Sequence, residues 1–199
     1  MISGMTGIIL AGGRSSRMGR DKAFLPWGGT TLIELVLSIL SPLVDEAIIV
    51  VKDARPFRHL KVQVVEDQDG DAHALGGVAT GLAAASTQCC FVCACDMPFL
   101  NPDLIRFLCD EAQGYDWVLP RTEEGAQPLH AVYQTRLLPI LRDQIQNQEW
   151  SFTSLVPKVR VKIVEGEVLR RFDPGALSFV NLNTPEDVVK YTVHQGGPT

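Results

Sequence analysis

The segment Gly7-Ile8-Ile9-Leu10-Ala11-Gly12-Gly13 ends a strand-like apolar run in two adjacent glycines, and Arg14, Arg17, Arg20 and Lys22 follow at once. Glycine has no Cβ, so a phosphate can approach the main chain and meet its N–H groups. Arginine and lysine add the charge that a polyphosphate requires. The segment therefore reads as a polyphosphate cradle at the carboxyl end of a first β-strand. It is not a P-loop, which needs Gly-Lys-Ser/Thr after a first glycine and four residues. It is not the dinucleotide fingerprint either, because the two glycines are adjacent and the next, Gly19, comes six residues later.

Short apolar runs alternate with helix-period segments downstream. Strands are expected at Gly7–Leu10, Ala47–Val51, Val62–Val65, Cys90–Cys95, Trp117–Pro120 and Leu129–Tyr133. Between them, Thr31 and Glu34 form a capping box ahead of a helix carrying Leu32, Val36, Ile39, Leu40 and Leu43. Gly76-Gly77 precedes a small-residue helix from Val78 to Ala85. Asn101-Pro102 opens a helix reaching about Gln113, and Thr184-Pro185 opens one reaching about His194. Thr135 to Gln146 reads as a helix and Ser151 to Val156 as a short one. Val159–Val164 alternates polar and apolar residues, which suggests a half-exposed, antiparallel strand. The pattern predicts an α/β chain: a doubly wound, mostly parallel sheet with a small antiparallel element in the last third, in one domain spanning 1–199.

Bulk properties narrow the function. Acidic residues outnumber basic ones 23 to 18, a net charge of −5, which argues against nucleic acid as the main partner. No apolar run is long enough to span a membrane. The start lacks a cationic export signal, and Cys89, Cys90, Cys93, Cys95 and Cys109 make a poor disulfide framework. A cytoplasmic protein is expected. Cys93 and Cys95 fall on one face of an apolar strand, so core packing is favoured over a metal site.

In open parallel sheets, ligands bind outside the carboxyl ends of the strands. Three predicted strands end there in suggestive residues: the glycine loop, Asp67 and Asp96. An aspartate directly after a buried strand can share a hard cation with a phosphate, although Asp96 before Pro98 also suits a turn.

The pattern Leu-Ala-Gly-Gly, then Arg17-Met18-Gly19 and Lys22, resembles the nucleotidyltransferases that activate sugars and cofactors, most closely the MobA-type molybdenum cofactor guanylyltransferases. Cys95-Asp96-Met97-Pro98 is similar to that family's magnesium-binding segment, and Asn181-Leu182-Asn183-Thr184-Pro185-Glu186-Asp187 to its carboxyl-terminal one. The resemblance spans nearly the whole chain and implies a Rossmann-like nucleotidyltransferase fold. It implies an enzyme that transfers GMP from GTP to molybdenum-molybdopterin with Mg2+ as cofactor, and cofactor-delivery proteins as further partners. Lys22, Arg17 and Asp96 are then catalytic, with Asp96 holding the metal; Gly13 and Arg14 serve the phosphates, and Leu10, Ala11 and Gly12 give main-chain contacts to the nucleotide. Asp67 is expected near the guanine. The family often carries an asparagine after the second strand; here Val51-Lys52-Asp53 stands, and a contact from Val51 can come only from its backbone. Asn181 and Asn183 either meet the pterin or the magnesium, or satisfy loop backbone. Gln127 stands where many relatives are basic, and His130 is either a packed strand residue or a ligand. The competing readings are a cytidylyl- or sugar-phosphate nucleotidyltransferase and a non-catalytic GTP-binding regulator.

Overall fold

A computed structural model describes residues 2–12, 22–67 and 73–194. Gly13, Arg14 and Arg17 lie outside the described residues.

The chain builds strand β1 (Met5–Leu10), a small hairpin of β2 (Pro26–Trp27) and β3 (Thr30–Thr31), helix α1 (Leu32–Leu40), β4 (Glu46–Val51), β5 (Gln63–Glu66), α2 (Ala74–Ala84), β6 (Cys89–Ala94) and α3 (Pro102–Asp110). It continues with β7 (Trp117–Thr122), β8 (Gly125–Ala126), β9 (His130–Gln134), α4 (Leu138–Gln146), β10 (Val161–Glu165), α5 (Glu167–Phe172) and α6 (Pro185–His194). The main sheet runs β10-β7-β9-β6-β1-β4-β5, with β8 paired to β7. Ile8 and Ile9, adjacent on β1, point to opposite faces, and each face has its own core. Ile9, Phe91 and Cys93 pack with α1 and α3, whereas Ile8, Val92 and Cys90 pack with α2 and α4. All five cysteines are free thiols, and four of them are buried.

The predicted caps are present. Thr31 and Glu34 bond reciprocally, and Asn101 accepts from the N–H groups of Asp103 and Leu104. Thr184 accepts from Asp187 N at 3.1 Å while the Asp187 carboxylate accepts from the N–H groups of Asn183 and Thr184.

One expectation is corrected. The alternating strand near 159–164 forms, as β10, but it pairs parallel to β7. The antiparallel strand is β9, which runs against both β6 and β7. It follows β7 after only a short excursion through β8, and a parallel return would need a long crossover. Alternation along β10 reports its position at the sheet edge, with one neighbour, and not its direction. Helix α2 also begins earlier than expected, so Gly76 and Gly77 lie inside it, and the segment after α4 is a 3-10 helix, Phe152–Lys158.

The α2 glycines have a purpose in packing. A Cβ on Gly81 would lie 2.5 Å from Ile8 Cγ2, and one on Gly77 would lie 3.4 Å from Leu10 Cδ2. The bare face lets α2 press onto β1 and β4, which brings its second turn over the end of β5.

Candidate active site

The strands β1, β4, β5, β6, β7 and β10 point one way, so their carboxyl ends share one edge. Main-chain bonds stitch that edge together. Ala11 N donates to Val50 O (2.8 Å), Asp67 N to Val51 O (2.7 Å) and Cys95 N to Leu10 O (3.0 Å). Asp67 and Asp96 therefore leave the edge three strand spacings apart, roughly 14 Å.

Two charged clusters stand there. In the first, Lys22 Nζ lies 3.5 Å from Asp96 Oδ2 and donates to Asn183 Oδ1 at 2.8 Å. Lys22 begins a 3-10 turn anchored by buried Ala23 and by Phe24, whose ring packs 4.8 Å from Phe57. Asn183 is aimed by its own N–H, which bonds the Asp187 carboxylate at the start of α6. Asp96 O accepts from Leu182 N at 2.9 Å, which ties the asparagine segment to the end of β6. Phe99, just beyond, packs against Trp27 and Tyr191, at 5.7 and 5.4 Å between ring centres.

Asp96 is mostly buried. Desolvation pushes its carboxyl above the usual aspartate range, and the Lys22 ammonium pulls it partly back. Its Oδ1 is buried with no hydrogen-bond partner among the described residues. A buried carboxylate oxygen without a donor is costly by itself and suits a hard divalent cation. No group of three or more His, Cys, Asp or Glu is placed to hold a metal among the described residues.

In the second cluster, Lys52 Nζ bonds Asp67 Oδ2 at 2.8 Å and Thr80 Oγ1 bonds Asp67 Oδ1 at 3.0 Å. Val51, fully buried, contributes through its carbonyl, which holds the Asp67 main chain. Lys52 and Thr80 were not among the expected site residues. The signal for Lys52 was present, since it directly follows a strand as Asp67 and Asp96 do. Thr80 reaches the site only through the close packing of α2.

Beyond β6 the same edge opens into a cavity of about 800 Å³, lined among others by Arg121, Thr122, Glu165, Asn181, Asn183 and Tyr191. Asn183 thus borders both the cavity and the Lys22–Asp96 pair and Asn181 borders the cavity, while their side-chain N–H groups also satisfy local carbonyls, Asn181 O and Phe179 O respectively. His130 is a core residue. It is fully buried between Phe91 and Phe179, and desolvation pushes its pKa down to about 3 against a small opposing effect of the Ser178 main chain. Gln127 bonds Thr122 and Gly125 O within its own turn.

A three-layer α/β sheet whose carboxyl edge carries a lysine–aspartate pair, the lysine following a glycine-rich segment in sequence, is the architecture of a nucleotidyltransferase. Residues 7–157 match the family model described as the MobA-like NTP transferase domain. The chain belongs to that family and is an enzyme of the nucleotidyltransferase class. It is 37% identical over 188 residues to a protein of Pelotomaculum thermopropionicum named "probable molybdenum cofactor guanylyltransferase", covering 94% of this chain and 92% of that one. It is 32% identical to the molybdenum cofactor guanylyltransferase of Desulfosudis oleivorans, again with 94% of this chain covered and 93% of the relative. In three dimensions it superposes on the molybdopterin-guanine dinucleotide biosynthesis protein A of Archaeoglobus fulgidus, with a TM-score of 0.81, 27% identity, and 94% and 96% of the two chains covered.

Proposed function

We propose that this enzyme transfers GMP from GTP to molybdenum-bearing molybdopterin, releasing pyrophosphate and leaving the guanine dinucleotide form of the cofactor. The observation that carries the reading is the bridge from Lys22 to both Asp96 and Asn183. It joins the end of the glycine loop, the end of β6 and the carboxyl-terminal asparagine segment at one point. The names borne by relatives of near-complete coverage support the choice of substrates.

The terminal phosphate of the pterin attacks the α-phosphorus of GTP. A P–O bond forms to the acceptor oxygen, the bond to the bridging β-phosphate oxygen breaks, and pyrophosphate takes the electron pair. The attacking oxygen is already anionic at neutral pH, so no general base is needed. The protein's task is to hold two polyanions in line and to offset their charge. Lys22, with Arg14 and Arg17, neutralises the triphosphate, and the main chain from Leu10 to Gly13 cradles it. Asp67 faces the base. The acceptor occupies the cavity bordered by Asn181 and Asn183. Asp96 holds the divalent ion, magnesium in this reading, which when bound supplies positive charge at the phosphoryl oxygens. Free thiols and the absence of a helix long and apolar enough to cross a membrane, among the described residues, are compatible with a cytoplasmic enzyme.

The test is pyrophosphate release from purified molybdenum cofactor with each of the four nucleoside triphosphates. GTP should be the best donor, and Asp96→Ala should lose turnover while keeping its unfolding midpoint. A preference for CTP or UTP, or tight GTP binding without pyrophosphate release, would overturn the reading.

A further inference from the structure

We infer that Phe99 is a positioning residue that acts through Lys22, Asp96 and Asn183, an inference resting on the transfer reaction proposed above. The same three chain segments meet twice. They meet once through polar groups, where Lys22 Nζ lies 3.5 Å from Asp96 Oδ2 and donates to Asn183 Oδ1 at 2.8 Å. They meet again through rings. Phe99 packs edge-on against Trp27, with 5.7 Å between centres and 81° between planes, and tilted against Tyr191 at 5.4 Å. Trp27 follows Lys22 by five residues, Phe99 follows Asp96 by three, and Tyr191 follows Asn183 by eight.

Each arm is stiff. Leu25 N donates to Lys22 O at 3.1 Å and Leu32 N to Leu25 O at 3.0 Å, so the β2–β3 hairpin carries Trp27 at a fixed offset from Lys22. Met97 and Leu100, on either side of Phe99, are buried and anchor it beyond Asp96. Thr184 and Asp187 cap α6, which fixes Tyr191 relative to Asn183. The polar junction is a poor fastening by itself. The Lys22–Asn183 bond is exposed and closes a separation of 161 residues. A lysine on a flexible four-carbon stem gains little net stability from such partners. Rings in edge-on or tilted contact attract beyond the area they bury. Phe99, at the centre of the three, therefore sets where the lysine and the two acceptors meet.

The test compares Phe99→Leu, Phe99→Tyr, Asn183→Ala and the Phe99→Leu/Asn183→Ala double variant in steady-state pyrophosphate release from GTP and molybdenum cofactor. Phe99→Leu should lower kcat about 10-fold, the cost of a loosely held cation, and keep KM for GTP within about twofold. Phe99→Tyr, which keeps the ring, should restore most of the rate. The double variant should lose about as much as Asn183→Ala alone, because the second change releases a lysine already loose. A ring that only packs predicts multiplied losses, about 100-fold. That product, or wild-type kcat in Phe99→Leu, would overturn the inference. Should Phe99→Leu fail to fold, Trp27→Leu on the surface hairpin must show the same shared loss with Asn183→Ala. A wild type that releases no pyrophosphate would overturn the transferase reading instead. Urea unfolding of Phe99→Leu, Lys22→Met and their double variant then decides Phe99 separately. Unfolding constants that depart at least about twofold from simple multiplication keep the two junctions coupled, and simple multiplication separates them.

Discussion

His130 stands on β9 opposite Cys93, with the rings of Phe91 and Phe179 at 5.1 and 4.7 Å. Its pKa falls from 6.5 to about 3 because burial disfavours the charged ring. The unfolded chain therefore binds a proton that the folded chain refuses, so stability is full above pH 6.5 and drains as the pH falls toward 3. By pH 4 the loss should reach about 3 kcal/mol. Urea unfolding of His130→Leu at pH 7 and pH 4 should show a gap smaller by about that amount than in the wild type; an equal gap would place the acid sensitivity elsewhere. Asp96 is also buried, yet it stays useful because it stands at the sheet edge with Lys22 in reach. Asn183→Ala should release Lys22 from one of its two holders, lowering the rate about 10-fold with little change in fold, in a steady-state assay. Residues such as Asp96 and Lys22 are legible in the sequence because each follows directly from a motif. The Asp67–Lys52 and Asp67–Thr80 bonds are not, since they join positions 15 and 13 apart whose approach is set by packing.

Helix α2 shows how an element carries information that its composition hides. Its glycines look like helix breakers, which moves the expected start of the helix to Val78. In the folded chain they are the contact face, and the helix begins at Ala74. The two positions should respond differently. Gly81→Val would drive a branched side chain into Ile8 and Val50, at a cost of about 1–3 kcal/mol and a lowered melting temperature. Gly77→Ala meets Leu10 at 3.4 Å and should be near neutral, since helix propensity offsets the tight contact. Calorimetric melting of both variants checks this, and equal losses would refute the packing account. Strand direction was the other illegible property. The alternation of β10 and the apolar run of β9 record how much of each is exposed, and neither pattern contains the direction of travel.

At the scale of the molecule, the sheet order places β1, β4 and β5 on one flank of β6 and β9, β7 and β10 on the other. The groups proposed to face the nucleotide fall on the first flank and the cavity on the second. A ligand that binds only the folded protein stabilises it by an amount that grows with the logarithm of its concentration over Kd. GTP with magnesium at about 100 times its Kd should add about 2.7 kcal/mol. For a chain of this size that is a rise in melting temperature of about 5–10 °C. Asp96→Ala should keep the part due to GTP alone and lose the increment due to magnesium; an undiminished increment would remove Asp96 from the metal.

The seam between the flanks has a consequence for inheritance. The bond from Leu182 N to Asp96 O is where the late segment meets the early one, beside the proposed reacting centre. On the proposed assignment of donor and acceptor to the two flanks, a crossover just after Met97 would pass the two binding preferences on as separable traits.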